Sequence, residues 1–302
     1  MKHTLKATVT LMLFFFLSQL VGLLIVNQYI DHKKSAETQT TEYRPLPYNL
    51  ERPEVKNQSA SFIYVMVSIL IGTGLLLLII KTNKLLFWKM MFFISVLLTL
   101  TIAFSAFMNQ YIAGALALAI AILKLYKPNM IVQNVSEVFI YGGLAAFVVN
   151  IFNLFAVFAL LIAVSIYDYI SVYKTRHMIK LAKFQSKSKV FAGLAVPYDS
   201  KSAANEKPSI KPEKPQKKSM AILGGGDIGF TLIFAGVVMK GLMLKETVLI
   251  GFLKTLIIPV CVTLALLILL FKGRHGKFYP AMPVLSLGCF VGYFIVLLVS
   301  LV

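Results

Sequence analysis

The sequence predicts an all-α protein that crosses a membrane nine times, N-terminus cytoplasmic and C-terminus outside. Three observations carry this. Hydrophobic residues make up 58% of the 302 positions, where a soluble domain holds about 45–50%. Apolar runs of roughly 20 residues recur along the chain, each long enough to span a bilayer. Basic residues concentrate in every second loop, the bias that marks cytoplasmic segments.

The predicted spans are 7–30, 61–80, 85–108, 112–126, 131–149, 152–173, 219–239, 247–271 and 278–301. The first follows Lys2 and Lys6 and runs longer than the roughly 7–15 apolar residues of a signal peptide. It also lacks a clear cleavage site, so it reads as a retained helix. The fourth is short and sits upright or sunk between neighbours. The fifth and sixth are nearly continuous, which demands a tight turn near Asn150 and Asn153. In the eighth, Pro259 predicts a kink, and Lys254 lies shallow enough to snorkel.

Charge tests the count. Lys2 and Lys6 precede the first span. Lys81, Lys84 and Lys89 mark the second loop, Lys124 and Lys127 the fourth, and Lys272, Arg274 and Lys277 the eighth. The sixth loop, 174–218, carries twelve basic residues from Lys174 to Lys218 against Asp199, Glu206 and Glu213. The odd loops are balanced or uncharged, apart from the seventh, where Lys240 and Lys245 face Glu246. In 31–60, for example, Lys33, Lys34, Arg44, Arg52 and Lys56 face Asp31, Glu37, Glu42, Glu51 and Glu54. One span more or fewer would break the alternation. The net charge of +18 is therefore a topology signal and excludes a nucleic-acid partner; the partner is the lipid bilayer.

Three parts follow: a six-span part at 1–173, a basic loop at 174–218 and a three-span part at 219–302. From Ser186 to Ser219 the loop is rich in Lys, Ser and Pro, a composition that cannot bury a core and predicts disorder. Its lysines would also attract anionic headgroups.

Ionisable residues inside spans are costly and point to function. Two qualify. Asp168 lies in "AVSIYDYISVY" and Asp227 in "AILGGGDIGF". Counted from Lys174 and Lys218, they sit about 9 Å and 13 Å below the basic margin, at similar depth on consecutive antiparallel helices. Two carboxylates sharing a low-dielectric site hold one proton between them. The charged one can then draw a proton from water while the neutral one donates to a carbonyl. Buried aspartates also carry ions through transporters or leaks, or simply make structural hydrogen bonds. Spacing alone leaves all three open.

Gly224, Gly225 and Gly226 weaken a helix but let another backbone approach, whether a packing helix or a substrate. Pro280 and Pro283, flanking Ala281 and Met282, resist a regular first turn at the start of the last span. Asn134 and Glu137 have capping-box spacing. Cys261 and Cys289 both fall in apolar runs, with no paired framework. There is no HExxH, which argues against a zinc protease, and no GxSxG-type serine with an intramembrane histidine. No metal or other cofactor is expected.

Tyr167-Asp168, Gly224-Gly225-Gly226-Asp227 and Pro280-Ala281-Met282 together resemble the YD, GxGD and PAL motifs of the presenilin and signal peptide peptidase family. Members of that family are intramembrane aspartyl proteases. The resemblance runs from first span to last, long basic loop included, and the compact length is similar to archaeal members. It implies Asp168 and Asp227 as the catalytic pair. Tyr167, the three glycines, Pro280, Ala281, Met282 and Pro283 would shape the site and meet an extended substrate by strand addition. Met282 stands where the family usually has Leu, a swap of similar volume. The resemblance further implies transmembrane-helix substrates with their N-termini outside, no cofactor, a prokaryotic plasma membrane, and room for a homo-oligomer. Prepilin peptidases share GxGD, but there a lysine usually follows; here it is Ile228-Gly229-Phe230.

Overall fold

The computed structural model of the chain describes residues 5–82, 84–127, 129–175, 178, 181, 184–185, 190–197, 220–272 and 279–301. Its helices are α1 (Leu5–Tyr29), the short α2 (His32–Thr38), α3 (Ser61–Thr82), α4 (Leu85–Ser105), α5 (Gln110–Tyr126), α6 (Met130–Val148) and α7 (Leu154–Tyr169). After two strands come α8 (Gly225–Met243), α9 (Val248–Thr255), α10 (Ile257–Lys272) and α11 (Met282–Leu301).

Among the described residues, eight helical segments are long and apolar enough to cross a membrane, α9 and α10 together forming one of them. α5 is a shorter apolar helix of 17 residues. It occupies the place of the fourth expected span, is about 25 Å long, and packs mainly against α4, with α6 beside it. Pro259 has the expected effect: the eighth predicted span breaks between Thr255 and Ile257, where the ring cannot donate to the preceding turn.

Asparagines begin several helices. The Asn109, Asn129 and Asn153 side chains accept from the amides of Tyr111, Ile131 and Ala156, each satisfying an orphan donor of a first turn. Asn153 ends the tight turn expected between α6 and α7, whose residues Val149–Ile151 form a single 3-10 turn. The cap of α6 is Asn129, so the capping box expected at Asn134 and Glu137 does not form; both residues lie inside the helix.

α8 is the central helix. It touches α1, α6, α7, α10 and α11 and is buried without interruption from Thr231 to Met239. α3 lies at the rim, with Tyr64, Leu70, Ile71 and Leu78 exposed. Large apolar side chains are likewise exposed on α4, α5 and α11, as a surface solvated by lipid requires. The segment after α1 is anchored by Arg52, whose guanidinium lies 5.5 Å and 5.1 Å from the ring centres of Tyr29 and Tyr43.

The largest departure from expectation lies around the basic loop. Residues expected in a disordered loop and at a helix start form two antiparallel strands, β1 (Gly193–Pro197) and β2 (Met220–Gly224). Leu194 pairs with Leu223 and Val196 with Ala221, and all four are buried, so one face of the ribbon joins the core. Gly193 is required: its φ is +141°, and a Cβ there would come within 2.2 Å of the Leu223 carbonyl oxygen. The seventh predicted span, placed at 219–239, therefore begins at Gly225 because β2 takes the residues before it. The Lys- and Pro-rich stretch 198–219 lies outside the described residues, as do Lys2, Arg274 and Lys277.

Candidate active site

The candidate site gathers where two helices begin. β2 ends at Gly224, whose extended backbone (φ −66°, ψ 146°) caps α8. Asp227 falls three residues later, in the first turn, with its carboxylate beside Gly224. This is the third helical position, from which an acidic side chain can reach back toward the cap amide. The positive end of the α8 dipole also favours a carboxylate there, typically by about 0.3–1 kcal/mol.

Asp168 sits near the end of α7, 8% exposed, just before a π-helical turn over Ile170–Lys174. Its Oδ2 accepts from the Met282 amide at 3.1 Å, with the Ala281 amide close beside it. These are orphan donors at the start of α11. Pro280 and Pro283 have no N–H to offer, so the two residues between them supply the donors. Asp168 thus caps a helix 114 residues further along the chain. One turn away, the Ser165 and Ser286 hydroxyls meet at 2.9 Å and tie α7 to α11.

The two carboxylates lie close enough for their charges to interact. Of the other expected residues, Gly224 touches Asp227, and Met282 holds Asp168 with Ala281 beside it. Pro280 is buried beside them and Pro283 half-buried. Gly225 packs under Tyr141, where a Cβ would come within 2.3 Å of the hydroxyl oxygen. Gly226 is exposed, and a Cβ there would meet only the Phe230 ring at 3.5 Å. The Tyr167 hydroxyl is 2.9 Å from that of Thr73 and ties α7 to α3.

A buried cluster beside Asp227 was not expected from the sequence. Lys124, read as a loop marker, is 4% exposed and forms a 2.5 Å ion pair with Glu137. Glu137 also accepts from Gln133 at 2.9 Å and from the Tyr141 hydroxyl. Asn134 clasps β1 with two bonds to Ala195, of 2.9 and 3.0 Å. One signal was available: Gln133, Glu137 and Tyr141 recur every fourth residue and share one helix face. Among the described residues, no three His, Cys, Asp or Glu side chains cluster as a metal site needs.

Fold and site together define a many-span membrane protein with two carboxylates paired inside its helical bundle. The family model described as "Signal-peptide peptidase, presenilin aspartyl protease" matches residues 12–302. No curated protein matches the chain. Among solved structures, a presenilin family intramembrane aspartate protease in a P2 crystal form is similar, with a TM-score of 0.60 at 18% identity. The match covers 96% of this chain and 97% of that one. The same description in a C222 form gives 0.57 at 18% identity over 95% of each chain. The chain belongs to the signal-peptide peptidase and presenilin family of aspartyl proteases, and is an aspartic endopeptidase of the membrane interior.

Proposed function

We propose that Asp168 and Asp227 are the catalytic pair and hydrolyse peptide bonds within transmembrane helices. They hold one proton between them. The charged carboxylate takes a proton from a water molecule, whose oxygen attacks the scissile carbonyl carbon. The neutral carboxylate protonates the carbonyl oxygen. Collapse of the tetrahedral diol breaks the C–N bond: the carboxyl that took the water's proton passes it to the amide nitrogen, and the other carboxylate takes a proton from a diol hydroxyl, restoring the singly protonated pair. No metal enters this scheme. The observation that carries the proposal is the placement of the two carboxylates on adjoining helices, α7 and α8, close enough for their charges to interact, with Asp168 held by the Met282 amide.

A helical substrate must unwind before cleavage, and its freed backbone groups then need partners inside the membrane. β2 suits this need. β1 takes one of its edges, and the strand runs directly into Gly224 and Asp227. An extended substrate adding to its other edge would lie along the glycines beside the carboxylate. We propose nine crossings with α5 as the fourth, a cytoplasmic N-terminus and an outer C-terminus. The alternating basic loops support this, although Lys127 alone now marks the fourth loop, Lys124 being buried. Substrates would have their N-termini outside, and the membrane would be a prokaryotic plasma membrane.

The test is cleavage of a single-span substrate by the purified chain in vesicles. The unsubstituted chain should cut, Asp168→Ala and Asp227→Ala should not, and a hydroxyl-containing transition-state mimic should block cleavage. Ion flux without cleavage would favour the ion-conducting alternative instead. The rate should follow a bell in pH, because only the singly protonated pair is active.

A further inference from the structure

The cluster at Lys124 and Glu137 is an unusual expense inside the bundle. Both side chains are almost fully buried, and desolvating an ion pair commonly costs more than the pairing returns. Apolar residues would hold α5 against α6 as well. Ala113, Ala117 and Ala121 already join α5 to an apolar core shared with Phe92, Val96 and Leu100. Nor does β1 need Glu137, because Asn134 clasps it independently.

What a carboxylate supplies here is an acceptor. Oε1 of Glu137 takes the Lys124 ammonium at 2.5 Å and the Gln133 amide at 2.9 Å. Gln133 is itself fixed to the carbonyls of Phe191 and Gly193, both at 2.9 Å. The other oxygen takes the Tyr141 hydroxyl. The ring so held packs on Gly225 and on Gly229, two residues either side of Asp227. Two carboxyl groups act electrostatically on Tyr141, those of Glu137 and Asp227. With Glu137 holding the hydroxyl proton, it is not available to Asp227.

We propose that Glu137 and Tyr141 are positioning residues for Asp227: Lys124 and Gln133 fix the Glu137 carboxylate, Glu137 fixes the Tyr141 hydroxyl, and the ring sets the first turn of α8. This rests on the protease reading. The charged and titratable groups around this turn are Glu137 and Tyr141 from α6 and Asp168 from α7, with Lys124 of α5 acting only through Glu137. From α1, the neutral Gln19 bonds the Ile228 carbonyl and the Thr231 hydroxyl at 3.0 and 2.9 Å.

The experiment uses the full chain in vesicles and measures kcat, KM, the pH–rate profile and Tm. Tyr141→Phe removes only the hydroxyl. Its kcat should fall about tenfold or more, as on loss of a hydrogen bond to a charged group, with KM nearly unchanged. The pH–rate profile should move, since the pair's neighbour has changed. Glu137→Gln combined with Lys124→Met leaves no lone buried charge and should displace kcat and the pH profile in the same way. A folded Tyr141→Phe chain with unaltered kcat and pH profile overturns the proposal, even if its Tm drops. If Tyr141→Phe does not fold, the paired variant decides by the same criteria. Failure of both to fold overturns it too, because the proposal needs the packed ring to survive without its hydroxyl. If the unsubstituted chain cuts nothing, the protease reading fails and this proposal with it; cutting lost in the aspartate variants but unaltered in Tyr141→Phe overturns the proposal alone.

Discussion

Asp168 and Asp227 both sit at a helix start, but they reach it by different routes. Asp227 lies in the first turn of its own helix, three residues after the cap residue Gly224. Asp168 lies near the end of its own helix and reaches across to the start of α11, between two prolines. One carboxylate is therefore set by local chain geometry plus the Tyr141 ring. The other depends on α7 and α11 staying in register. Substitutions that disturb one side should leave the other side's contacts standing.

The largest effect short of removing a carboxylate is expected at Met282. Met282→Pro deletes the amide that donates to Asp168, at the first helical position, where proline is otherwise tolerated. Met282→Ala keeps the amide and loses only the side chain. Cleavage should fall about 10- to 100-fold further in the proline variant than in the alanine one, the range for hydrogen bonds to charged groups. Equal rates would mean that the amide does not hold Asp168 in the working enzyme. Gly225→Ala disturbs the other side. Its Cβ would press on the Tyr141 hydroxyl at 2.3 Å, and overpacking of this kind costs about 1–3 kcal/mol. Cleavage should drop roughly tenfold, and thermal unfolding should report the strain.

Smaller effects mark the limits of the comparison. Met282→Leu is close to volume-conserving and keeps the amide, so cleavage should stay within about twofold. Gly74→Ala on the peripheral α3 meets nothing within 4 Å. It should leave cleavage intact and raise helix stability by up to about 1 kcal/mol, seen as a small rise in Tm. A large loss in either variant would mean that the site extends further than its hydrogen bonds.

The spans were legible because lipid imposes a simple code of apolar length and charged margins. The two aspartates stood out for the same reason, as charges where charge is costly. The strand pair was not legible. "GLAVP" and "MAILG" are short apolar runs in which periodicity cannot separate strand from helix, and their pairing joins residues more than 20 positions apart. In hindsight, a Gly- and Pro-bounded apolar run inside a basic loop was a strand signal. Glu137 was misread because Asn134-x-x-Glu137 fits a cap equally well. Only the tertiary partners Lys124 and Ala195 reveal that both residues face inward. The Pro280 element was read as shaping the site, whereas it donates directly to Asp168, a contact no local pattern contains.

The central claim is that Asp168 and Asp227 act as one unit sharing a proton. Cleavage rates of Asp168→Asn, Asp227→Asn and the double variant, measured in the same vesicles, test it most directly. Each single substitution should cost at least about a thousandfold and the double no more than either single one, the non-additivity of groups that work together. A single variant that keeps far more than about a thousandth of the rate, or losses that simply multiply in the double, would contradict it.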